Sequence, residues 1–126
     1  MKLRLTLAAS LSLISCATIA PPAARGTVDH VVLMWQKLPG NSVDRQALLS
    51  ACSELRVIPG IKFLDVGTAL ASDRPVVDDS FDVGLTVRFD SAQSLHAYET
   101  DPRHLKKVNE VLKPLTKKIV VYDIVR

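Results

Sequence analysis

From Val28 onward the chain switches between two hydrophobic rhythms. "VDHVVLMWQ" (Val28 to Gln36) is apolar or β-branched at nearly every position, which predicts a strand covered on both faces rather than one with a wet side. "LPGNS" reads as a turn, and Asn41 or Ser42 is placed to cap a helix running to about Arg56. On that helix Leu48, Ala51, Cys52 and Leu55 recur with helical spacing and form one apolar stripe. Cys52 is therefore expected as a small core residue and not as a reactive thiol. "IPGI" breaks the helix, "KFLDVGTAL" predicts a second strand, and "ASDRPVVDDS" is a polar loop. In "FDVGLTVRF" the residues Val83, Leu85, Val87 and Phe89 share one face of a third strand. Asp90 or Ser91 begins a short helix through Tyr98, and Asp101-Pro102 begins another, with Asp as cap and Pro where its missing N–H costs nothing. Leu105, Val108, Val111 and Leu112 give that helix its stripe, and "KKIVVYDIV" closes the chain as a fourth strand.

The order β-α-β-β-α-β, with the second helical region in two pieces, predicts an α+β, ferredoxin-like domain: a four-stranded antiparallel sheet with helices on one face. Strand one has Val28, His30, Val32 and Met34 in one parity and Val31, Leu33 and Trp35 in the other. Strand four offers Ile119, Val121 and Val125 against Val120, Tyr122 and Ile124. Helices cover one face only, so the other calls for a second cover. A domain of about 100 residues buries a marginal core alone, and a homodimer joined through the sheet is the simplest solution.

Composition narrows the partners. The chain of 126 residues is 48% hydrophobic and 23% charged, as an ordinary globular domain is. Its formal charge is +3, but Lys2 and Arg4 precede an apolar run, "LTLAASLSLI", which with them reads as an export signal too short to span a bilayer. Without those two, 14 of the 16 basic residues remain against 13 acids. A near-neutral mature chain argues against a nucleic-acid partner, which requires a basic surface. Leu13-Ile14-Ser15-Cys16 resembles the lipobox of bacterial lipoproteins. That resemblance implies a signal over residues 1–15, cleavage before Cys16 and lipidation of its thiol, with residues 16–27 as a tether. Ala17 at the next position, by the same resemblance, implies the outer membrane of a Gram-negative-type envelope. Cys52 would then be the only thiol left, so no disulfide within the chain staples the fold.

"DHVVLMWQ", "IPGI", "DVGLTVRFDSAQSLHAYETDPRHLKKV" and "VVYDI", in this order and spacing, resemble the stress-responsive α/β-barrel (Dabb) family over about residues 28–126. The resemblance implies a dimeric α/β barrel and a pocket between sheet and helices. A plant polyketide cyclase of this family, of the olivetolic acid type, uses a histidine as general base, and His104 matches it by position. Tyr98 and His30 match two further pocket residues. The cyclase also carries a histidine on its third strand, where this chain has Val83. An imidazole suits proton removal next to a carbonyl, with a tyrosine or histidine holding the enolate oxygen.

His96 is expected to face solvent. The three histidines show no metal-ligand spacing and no cysteine cluster accompanies them, so neither a structural zinc nor another cofactor is expected. The leading expectation is a lipid-anchored, dimeric Dabb-domain protein of the cell envelope that holds a small apolar molecule near His30, Tyr98 and His104. Its alternatives are a cyclase or lyase using His104 as base, and a non-catalytic interaction protein whose dimer surface is its function.

Overall fold

A computed structural model describes residues 26–126. The signal-like segment, Cys16 and most of the tether lie outside the described residues. Strand β1 (Val28–Gln36) is followed by helix α1 (Ser42–Glu54), which ends in a 3-10 turn at Leu55–Val57. Strands β2 (Ile61–Gly67) and β3 (Val83–Phe89) come next. The second helical region comprises α2 (Ala92–Glu99), α3 (Pro102–Lys107), a π turn at Val108–Leu112 and α4 (Lys113–Leu115), and it leads into β4 (Thr116–Val125). The strands form one antiparallel sheet in the order β2-β3-β1-β4. This is the expected ferredoxin-like α+β arrangement.

Local chemistry explains the boundaries. Asn41 is the cap of α1, accepting from the N–H groups of Val43 and Asp44 at 3.0 and 3.1 Å, which satisfies donors that the first helical turn leaves free. Ser91 caps α2 through the Ser94 N–H, and Asp101 caps α3 through the Arg103 N–H with Pro102 in the first turn. Gly60 follows Pro59 with a φ of +92°, a left-handed conformation that a side chain would strain, and it turns the chain into β2. The second strand is shorter than its apolar pattern predicts. It stops at Gly67, paired with Gly84 near the start of β3, and the chain continues as a loop to Asp82.

One face of the sheet carries the core. Val28, Val32 and Met34 of β1 and all four apolar residues of β3, from Val83 to Phe89, are buried there with Leu48, Ala51, Cys52 and Leu55 from α1 and its following turn. Cys52 is fully buried, as its place on the stripe predicts, and burial pushes its thiol up to about 12. Gln36 ties the end of β1 to its neighbours: its N–H donates to Asp82 and its side-chain amide to the Asn41 carbonyl.

The helical layer is narrower than the sheet. α1 packs over β2 and β3, and α2 over β1 and β3, so β4 lies at an edge that the helices do not fully reach. Val121 and Val125 face the helical side yet are 46% and 68% exposed. On the opposite face Phe63, Tyr122 and Ile124 are exposed, while Asp29 is buried between Arg88 and Arg126.

Replacing the cap by Asn41→Ala should lower the unfolding free energy by about 1 kcal/mol, and Leu48→Ala, under the same helix, by roughly 2–5 kcal/mol. Urea unfolding followed by circular dichroism measures both; equal losses would mean that the cap does more than satisfy the first turn.

Candidate functional site

A cavity of about 510 Å³ lies where the helices fall short of β4. Its walls are largely apolar, with Val32, Val108, Leu112 and Val121 among them, and its polar groups are His30, Tyr98, Glu99, His104, Lys113 and Asp123. The three residues singled out from the sequence therefore line one space. The π turn contributes Val108 and Leu112; such insertions into a helix re-aim the residues that follow and recur at functional sites.

Tyr98 is the central piece. It lies near the end of α2, its ring packs 5.1 Å from Phe89 and 4.4 Å from His104 between centroids, and His30 sits edge-on at 6.0 Å. The residue is 1% exposed, and its hydroxyl has no hydrogen-bond partner among the described residues. Burial pushes the phenol well above its ordinary range, with the nearby Cys52 and Glu99 adding to the shift. The group is thus a neutral donor kept from water, and a buried polar group without a partner costs about 1–3 kcal/mol.

His104 is half-buried, two residues into α3. Its Nδ1 lies 3.1 Å from the carbonyl oxygen of Glu99. A carbonyl can only accept, so Nδ1 carries the hydrogen and Nε2 keeps its lone pair. Burial lowers the pKa of this imidazole below its usual value, opposed by the hydrogen bond to Glu99.

His30 is buried on the helical face of β1, and its Nδ1 lies 2.6 Å from Asp123 Oδ1. The two residues are 93 apart in the chain and directly opposed in the β1–β4 register. Asp123 is absent from the sequence-based candidates. The signal for it was a carboxylate in the same parity as Ile119, Val121 and Val125, where a purely structural strand would place another aliphatic residue. Glu99 is also absent from them; its signal was an acid at the C-terminal end of a helix, where the dipole disfavours negative charge. His96 is exposed, as expected. Val83 is fully buried opposite Met34 and does not line the cavity, so the third strand supplies no polar group there.

The arrangement offers a neutral donor, an imidazole with a free lone pair and a His–Asp pair around apolar walls. It can bind a small molecule through one acceptor group, or move a proton to or from it.

The model of the family described as "Stress responsive A/B Barrel Domain" (Dabb) matches residues 28–126, and the chain belongs to that family. Among solved structures it is similar to a Dabb-family protein of ferredoxin-like fold from Mesorhizobium loti, at 22% identity and a TM-score of 0.66, covering 81% of this chain and 98% of that one. It is similar to a dimeric ferredoxin-like protein from Thermobifida fusca at 18% identity and a TM-score of 0.64, covering 79% and 91%. It also resembles the hydroxynitrile lyase of Passiflora edulis at 21% identity and a TM-score of 0.70, covering 81% and 94%. At these identities the likeness is one of fold. No curated protein matches the chain.

The α3 cap holds His104 in place and is itself charged. Arg103, donating to both Asp101 oxygens, is the main reason that the Asp101 carboxyl falls to about 2. A carboxylate depressed in the folded state stabilises above its unfolded pKa, near 3.9, and that stabilisation is lost as pH falls through the folded value. Asp101→Ala should therefore lower the melting temperature at pH 7, and the gap between variant and parent should close as the pH is taken from about 5 towards 2. A gap that stays constant over that range would contradict a charged cap.

Proposed function

We propose that this is a homodimeric Dabb-domain protein, anchored in the cell envelope through lipid on Cys16, that holds a small, largely apolar molecule bearing one hydrogen-bond acceptor. The observation that carries the ligand reading is the buried, unpartnered Tyr98 hydroxyl beside an apolar cavity of about 510 Å³. That volume is within the roughly 300–1,000 Å³ usual for ligand pockets, and a carbonyl or similar acceptor on the guest would complete the missing hydrogen bond. The dimer is supported by the exposed apolar residues Phe63, Tyr122 and Ile124 on the helix-free face of the sheet, and by the dimeric description of the Thermobifida fusca protein. The anchor is supported by the charged start, the apolar run and the placement of Cys16. The Dabb name implies a role in stress.

A second reading has its own observation. The bond from His104 to the Glu99 carbonyl leaves Nε2 free to accept a proton, 4.4 Å between ring centroids from a tyrosine able to hold an enolate oxygen. On this reading the protein is a lyase or cyclase with His104 as base, Tyr98 as donor and His30 in support. The Passiflora edulis neighbour, named a hydroxynitrile lyase, is an enzyme on the same fold.

Two probes test the ligand reading. The neutral dye N-phenyl-1-naphthylamine should bind saturably and be excluded by Val121→Trp. Acetophenone, which adds a carbonyl, should bind about five-fold more weakly to Tyr98→Phe, the equivalent of roughly 1 kcal/mol for one hydrogen bond, while the dye is unaffected. Failure of Val121→Trp to displace the dye would place binding elsewhere. His104→Ala should retain dye binding under either reading, and only the enzymatic one requires it to abolish turnover of a β-keto substrate.

Expressed in a Gram-negative host, the full chain should partition with membranes and carry diacylglycerol by mass. Cys16→Ser should release it from the membrane fraction or leave its signal uncut; an unchanged lipidated mass would contradict the anchor.

A further inference from the structure

We infer that His30, Glu99 and Asp123 form a binding site for one divalent cation of the zinc class, at the β4 end of the cavity. One ligand atom from each residue lies within 4.8 Å of the others, and the three come from three separate elements: β1, the end of α2, and β4. The donor set is one imidazole nitrogen and two carboxylates, suited to zinc and its first-row neighbours more than to magnesium or calcium, which favour all-oxygen shells. Three protein ligands leave further coordination positions open to the cavity, as sites that bind or activate small molecules do.

Three observations support a cation there. Two carboxylates converge on one imidazole, yet no lysine or arginine among the described residues pairs with either acid. Lys113, the cationic side chain lining the cavity, is turned to Asn109 at 3.2 Å. Glu99 makes no side-chain hydrogen bond among the described residues and sits at the C-terminal end of α2, where the helix dipole opposes its charge; a neighbouring cation offsets that cost. Independently, Tyr98 lines the same cavity as all three residues, its ring 6.0 Å from that of His30 and its buried hydroxyl without a partner, and a ligand held on the open positions of the ion would give it one. The His30–Asp123 hydrogen bond by itself explains two of these residues but leaves both Glu99 and the Tyr98 hydroxyl unexplained.

Isothermal titration of the tag-free, chelator-treated full chain with Zn²⁺ tests the site. One Zn²⁺ per chain is expected, with affinity reduced about 100-fold by Glu99→Gln and by Asp123→Asn, at least the loss that follows removal of a metal-orienting partner. His96→Ala, which removes an exposed histidine outside the cluster, should leave the affinity unchanged. Should Asp123→Asn prove unfolded by circular dichroism, Glu99→Gln, whose side chain holds nothing else in place, decides alone. Absence of saturable binding, binding that survives Glu99→Gln, or binding that is lost with His96→Ala would each overturn the inference.

Discussion

The mismatch in width between the helical layer and the sheet governs this molecule. α1 and α2 pack over β1, β2 and β3, where the apolar residues of β3 and the helical face of β1 are sealed. β4 extends past that cover, and its helix-side residues line an open space instead of a packed interface. Filling the space would stabilise the core by close packing. The chain instead brings to it a histidine, an aspartate, a glutamate, a tyrosine and a second histidine, each of which a purely structural edge would replace with an aliphatic residue.

Two local devices hold those groups in place. The β1–β4 register sets His30 directly across from Asp123, so a slip of β4 by one residue would turn Asp123 to the other face and leave His30 without it. The break between α2 and α3, with Asp101 capping the second helix and Pro102 fixing its first turn, brings His104 back over Tyr98 and lets the Glu99 carbonyl, left free where α2 ends, accept from the imidazole. A continuous helix would use that carbonyl within its own ladder. The same interruption thus sets both the position and the tautomer of His104.

The order of elements and the one-sided helical cover were legible in the sequence, because parity and helical spacing report which face a side chain takes; the grouping of His30, Tyr98 and His104 came only from the family resemblance, since no spacing rule joins residues on three separate elements. Asp101-Pro102 marked the restart of the helix for the same local reasons that appear in the structure. Less legible was anything that depends on pairing across the sheet. Asp123 was not singled out, because only the β1–β4 register sets it beside His30. Glu99 was not singled out, although its unfavourable place on the helix dipole was visible. The π turn had no signature, since its residues continue an ordinary apolar stripe, and β2 stops at Gly67 although its own apolar pattern runs on to Leu70.

The proposed form of the protein is a dimer whose subunits each hold a small molecule between the helices and β4. A native mass spectrum of the protein taken gently from membranes, with detergent removed in the gas phase, tests this most directly. The predicted result is twice the mass of the lipidated chain plus a retained small component that is lost on collisional heating. A bare monomer, carrying nothing at any collision energy, would contradict it.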